Sequence, residues 1–185
     1  MRATKGAITS ARLDGQGGFD FEVIGGVSPQ GIAGSGLLCL VNLLRKDGRI
    51  NATGKINNGS IPLADKVYLT QPDIREVQKA KAAVRAAFDI LLKRLGLQPE
   101  DLDELVMTGS FGARVNIEDA LDLRMIPPVP RERVRAFANA AGLGAGMMLS
   151  EDAFEFASEL AENVRHVELH ADQEFMDKYI INMSL

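Results

Sequence analysis

An α/β fold with a mixed sheet flanked by helices is what this chain of 185 residues predicts, and two observations predict it. In the second half, short β-rich runs such as KVYLTQ (66–71) and ELVMT (104–108) alternate with helical patterns, the alternation that marks α/β proteins. Three glycine clusters, GIAGSG (31–36), TGSFG (108–112) and AAGLGAG (140–146), fall where a strand or loop meets a helix. The length suits one domain, 1–185, and 46% hydrophobic residues supply enough apolar surface for a core.

The elements follow in order. GAITSARLD (6–14) and FDFEVIGG (19–26) alternate about the turn DGQGG (14–18), with Phe19, Phe21 and Val23 on one face, which predicts a hairpin. The apolar run after GIAGSG spaces Leu37, Leu40, Val41 and Leu44 as a helix that Asp47 and Gly48 stop. Residues 51–64 have loop composition, and 66–71 is a short strand. Pro72 and Asp73 open the longest helix and Gly96 closes it. Its apolar seam is Ile74, Val77, Val84, Phe88, Leu91, Leu92 and Leu95, interrupted by Lys81. A lysine there either snorkels along its stem to water or has its amine held for a ligand.

Strand 104–108 runs into the second glycine cluster. NIEDALDL (116–123) is a short helix capped by Asn116, and MIPPVP (125–130) a rigid connector. RVRAFANAAGLGAGMML (133–149) reads as a strand running into a small-residue helix. SEDAFEFASELAENV (150–164) reads as a helix capped by Ser150, RHVELH (165–170) as a strand, and 171–185 as a closing helix. The hairpin, the long helix and strand 104–108 are expected to share one sheet, with 104–108 central.

Charge and motif content narrow the function. A net charge of −4 and a pI near 5.3 argue against a nucleic-acid partner; the basic run PRERVR (130–135) reads as a solvated face. The single cysteine, Cys39, rules out an internal disulfide and a cluster built from this chain's cysteines alone, and is expected to be a buried thiol. His166 and His170 have the spacing of a helical metal pair, but VRHVEL alternates like a strand, and no metal site is assigned. No stretch approaches the roughly 18 apolar residues that cross a bilayer and no signal peptide opens the chain, so no membrane and a cytoplasmic location are expected. A Gly-x-Ser-x-Gly elbow, a His-Glu-x-x-His pair and a Walker A loop are all missing, and no catalytic residue is assigned. The glycine clusters remain open to two readings. Each suits an anion at a helix start, and each equally suits tight helix-on-sheet packing.

Six segments, in order, carry a resemblance: GAITSARLD, SPQGIAGSGLL, LTQPDIREVQKAKAAVRAAFDILL, LVMTGSFGARVNIEDALDL, VPRERVRAFANAAGLGAGMML and VELHADQEFMDKYI. Together they resemble the C-terminal domain of the reductive activators of corrinoid proteins, ferredoxin-like ATPases that restore an inactivated cobalt cofactor. The resemblance implies a ribonuclease-H-like, actin-like ATPase lobe of the acetate and sugar kinase, heat-shock protein and actin superfamily, whose two lobes close around ATP. It implies a corrinoid protein as partner. An iron–sulfur cluster would belong to the family's N-terminal domain, and ATP with magnesium would bind only with the other lobe. The family's Asp-Ile-Gly-Thr phosphate loops would lie before residue 1, so the chain is expected to be a fragment or truncated homologue without hydrolysis of its own. An open sheet edge left by such a truncation is expected to self-associate into a homo-oligomer, a dimer being the simplest.

By the same resemblance, LVMTGSFG stands at the family's strand and adenosine turn, usually nearer Ala-Gly-Gly-Phe-Gly. Gly109, Ser110, Phe111 and Gly112 would then meet the adenine and ribose, with Ser110 narrowing the room for the base. FANAAG stands at a Gly-Asn-Ala segment, with Ala138 in place of glycine. QPDIREVQKAK retains Gln71, Asp73, Arg75, Gln78 and Lys81, and Arg75, Gln78 and Lys81 would line the cleft. Gly34, Ser35 and Gly36 of the first cluster complete the candidate set. The rival expectation is a binding or dimerisation module whose glycine turns only pack.

Overall fold

A helix laid on a three-stranded sheet forms the N-terminal quarter of the protein. The computed structural model describes residues 1–57 and 59–185. The hairpin is β1 (Ala7–Leu13) and β2 (Phe19–Val23), antiparallel with Ala11 opposite Phe21, and the short β3 (Gly31–Ile32) adds parallel to β1. α1 (Gly34–Lys46) packs on β1. Gly36 makes that approach possible: a Cβ there would lie 2.8 Å from the Ile8 carbonyl carbon and closer still to its oxygen.

β4 (Ser60–Ala64) and β5 (Val67–Thr70) form a second hairpin, so part of the 51–64 stretch expected as loop is strand; position 58 of that stretch lies outside the described residues. The register explains the miss, because Ile61 pairs with Leu69 although Pro62 interrupts the pattern. α2 (Gln71–Leu95) is one continuous helix, as predicted, ended by Gly96 at φ 68°. Its start is a capping box: the Asp73 carboxylate accepts from the Thr70 amide at 2.8 Å, and the Asp73 amide donates back to Thr70 Oγ1. Thr70→Ala is expected to lower the unfolding free energy by about 1 kcal/mol, read from urea melts. The seam is displaced from its predicted line. Leu91 and Leu95 are exposed, whereas Ala82, Ala86 and Ile90 are buried with Ile74 and Val77.

β6 (Leu105–Thr108) passes through the one-turn α3 (Gly109–Gly112) to α4 (Ile117–Asp122), capped by Asn116 Oδ1. β7 (Val134–Phe137) pairs parallel with β6, Thr108 opposite Phe137. α5 (Ala140–Met147), α6 (Glu151–Asn163) and α7 (Phe175–Ile181) complete the chain, α7 packing on α2. The core joins Leu40, Val41 and Leu44 of α1, Ile74 and Val77 of α2, Leu69, Leu105 and Val134.

Two expectations are corrected. Among the described residues the strands form three separate sheets, ordered β2-β1-β3, β4-β5 and β6-β7, so β6 is one of a pair and not the centre of a shared sheet. RHVELH is not a strand: 164–168 is irregular and Leu169–Ala171 a single 3-10 turn, and no strand among the described residues pairs with it. His166 and His170 are both exposed there.

Candidate functional site

Parallel strands β6 and β7 end side by side, and each ends in backbone of the left-handed region. Gly109 has φ 83°, and Asn139, where α5 begins, has φ 54°. Asparagine is among the few side chains that tolerate that region, which is why it can stand at this position. The turns are tied together by the Thr108 hydroxyl, which accepts from the Ala140 amide at 3.3 Å. Between them lies a cavity of about 460 Å³ lined by Thr108, Gly109, Ser110, Arg114, Asn139 and Ala141, among others. The carboxyl ends of parallel strands are where open α/β sheets place their ligands.

The TGSFG turn divides its glycines between the two readings. A Cβ at Gly109 would meet nothing within 4 Å, so its backbone faces open space. Gly112 is pressed against β6, where a Cβ would lie 3.2 Å from the Met107 carbonyl carbon. Ser110 and Phe111 are exposed, and the Phe111 ring reaches α1, 3.0 Å from where a Cβ of Gly34 would be. The first and second glycine clusters therefore meet in space.

A second cavity of about 490 Å³ adjoins the first through shared residues Ala113 and Arg114. Its lining includes Ser10, Glu22, Ser35, Cys39 and Asp119. Cys39, expected to be buried, is only partly so, and its sulfur sits between the amide and carbonyl of Ala11. Burial pushes its thiol above the usual range, with the Asp119 carboxylate adding to the effect, so it stays protonated at neutral pH.

The long-helix residues go elsewhere. Arg75 Nη1 donates to Thr53 O at 2.9 Å, Gln78 Nε2 to Met183 O at 2.7 Å, and Gln71 Nε2 to Gly54 O at 2.6 Å. Lys81, only 2% exposed, donates to Ser184 O. It neither snorkels to water nor lines a described cavity, contrary to both readings of the sequence. These four residues form a stripe on α2 whose donors hold the backbone of two remote segments, the 51–56 loop and the C-terminal tail. Burial, followed by the nearby guanidiniums of Arg124, Arg85 and Arg45, lowers the Lys81 ammonium to about 8.

Sequence reasoning thus brought together Gly34, Ser35 and residues 109–112, and assigned Gly36 to a ligand where the structure uses it for packing. The cavity lining adds Thr108, Arg114 and Asn139, which stand outside that candidate set. Asn139 carried a signal, an asparagine between a strand and a helix start; Arg114 carried none. Among the described residues, no group of three or more His, Cys, Asp or Glu side chains is arranged to hold a metal ion.

Residues 1–185 match the family described as the C-terminal domain of RACo, the ASKHA domain. The chain is 29% identical over 211 residues to the corrinoid activation enzyme RamQ of Eubacterium limosum, an alignment covering 98% of this chain and 35% of the relative. It is 28% identical over 161 residues to the Co(II) methylated amine-specific corrinoid protein reductase of Methanosarcina barkeri, covering 86% of this chain and 30% of the relative. A solved structure of a reductive activator for a corrinoid, iron–sulfur protein superposes with a TM-score of 0.87 at 27% identity, over all of this chain and 33% of that one. The chain spans about a third of the length of the curated relatives it matches.

Proposed function

The chain belongs to the family of C-terminal ASKHA domains of RACo, and from that premise we propose that it is the nucleotide-facing lobe of an ATP-dependent reductive activator of a corrinoid protein. The observation that carries the reading is the cavity at the ends of β6 and β7, where Gly109 leaves its backbone open and the Asn139 backbone turns away from the strand. A cavity of about 460 Å³ falls in the range of small-molecule sites. In this reading Gly109 and Ser110 lie against the base and ribose, with Phe111 closing the side toward α1. This reading leaves out Arg75, Gln78 and Lys81, because Arg75 Nη1, Gln78 Nε2 and Lys81 Nζ donate to backbone carbonyls of the 51–56 loop and the C-terminal tail.

ATP with magnesium would bind in full only between this lobe and a second one carrying phosphate loops, and an iron–sulfur cluster would belong to a further domain. The Gly109 turn would position the nucleoside end. Self-association of the chain is part of the proposal. Phe156, Leu160 and Val164, spaced four apart on and just beyond α6, are 56–67% exposed, an apolar stripe of the kind that seeks a partner. A cytoplasmic setting goes with the same reading; among the described residues no helix is long and apolar enough to cross a membrane.

Calorimetry of the chain with ATP and adenosine tests the proposal. We expect weak binding of both, tightened several-fold by Ser110→Gly because a side chain at 110 crowds the base, and no turnover above background with magnesium. Absence of binding in both the parent and the Ser110→Gly variant would favour the packing role of the glycine turns instead.

A further inference from the structure

We propose that Arg114, assisted by Ser35, holds the phosphate chain of a nucleotide seated at the turns; this rests on the nucleotide reading given above. Arg114 is the only Lys or Arg among the described residues lining either of the two adjoining cavities, and it lines both. It stands two residues beyond the Gly109–Gly112 turn, on the path from the nucleoside end of the groove to its α1 end. Its side chain is exposed and makes no hydrogen bond or ion pair with the described residues. A guanidinium suits this task, because its planar fork binds two phosphate oxygens at once and keeps its charge at any physiological pH.

Ser35 supplies the independent observation. It is 8% exposed, it lines the second cavity, and its hydroxyl makes no hydrogen bond with the described residues. The hydroxyl itself reaches the opening of the cavity, so it is free to donate to an anion seated there. Ser35 also sits in the first turn of α1, a 13-residue helix whose start has no side-chain cap and no acidic residue, so the dipole there favours negative charge.

The remaining charges limit where the anion can lie. Glu22 and Asp119 also line the second cavity, and Asn42 Nδ2 donates to Asp119 at 2.7 Å. Two carboxylates repel a phosphate. The chain of phosphates is therefore held at the Arg114 and Ser35 side and does not run on between β2 and α4. Cys39, protonated at neutral pH, adds no further negative charge.

The test compares ATP with adenosine on the 185-residue chain by titration calorimetry, with melting curves to verify folding. The parent is expected to bind ATP about tenfold or more tighter than adenosine, the size of effect a charge-assisted contact gives. Arg114→Gln should bring the two affinities together by weakening ATP much more than adenosine; Arg114→Lys should keep part of the preference; Ser35→Ala should reduce it several-fold. If Arg114→Gln retains the parent's preference for ATP, the assignment of Arg114 is overturned while the nucleotide site stands. If the parent binds adenosine and ATP equally, phosphate recognition by this lobe is overturned. If the parent and the Ser110→Gly variant bind neither, the nucleotide reading falls and the inference with it.

Discussion

Lys81→Met is expected to stabilise the protein at pH 7, by roughly 2 kcal/mol, although it deletes a hydrogen bond. The lysine is 2% exposed, and its only polar partner among the described residues is the Ser184 carbonyl. Lowering the ammonium from 10.5 to about 8 corresponds to about 3 kcal/mol at roughly 1.4 kcal/mol per pH unit. The lost bond to Ser184 offsets about 1 kcal/mol of that. Linkage fixes the sign. Between pH 8 and 10.5 the unfolded chain holds a proton at this position that the folded chain has released, so the parent gains stability as pH rises through that window. Below about 8 the whole penalty is present. Chemical melts of parent and variant from pH 6 to 10.5 should show the parent rising and Lys81→Met without this rise, the two converging at the alkaline end. Lys81→Arg should be destabilised throughout, because a guanidinium cannot release its proton there. A variant less stable than the parent at pH 7 would mean that holding the C-terminal tail outweighs the desolvation cost.

Gly36→Ala should have the largest effect of any single methyl added to this protein, about 3 kcal/mol or more of destabilisation. The new carbon would overlap the Ile8 carbonyl, which is backbone in a paired strand and cannot rotate aside. α1 would have to lift from β1, opening the core at Leu40, Val41 and Leu44. Gly34→Ala is the matched control. Its added carbon meets the edge of the exposed Phe111 ring at 3.0 Å, and a side chain can move, so a loss below about 1 kcal/mol is expected. Thermal melts of the two variants side by side separate packing from general intolerance of α1 to substitution. Equal losses would show that α1 can shift on β1.

These two substitutions also mark where sequence reading reached and where it stopped. By itself the sequence determined the long helix, since Thr70, Pro72, Asp73 and Gly96 are local signals that act within a few residues of one another. It likewise determined the first hairpin, the helix after GIAGSG, the Asn116 cap and the strand-to-helix passage at 134–147, all set by short-range alternation or capping. The ordered segments shared with the corrinoid activators were enough to place the chain in its family. Tertiary structure decided which glycines carry space and which carry contact. Gly36 and Gly109 look alike in sequence, yet one faces a remote carbonyl and the other faces an opening. It decided the partner of Lys81, 103 residues away, a pairing that no local periodicity encodes. It also decided that strands with similar patterns fall into three sheets, because pairing depends on which edges the intervening helices bring together. Arg114 shows the same limit from the functional side. The role proposed for it comes from standing where two cavities meet, and that position is set by the packing of β6, α1 and α4 around it, not by anything in the residues beside it.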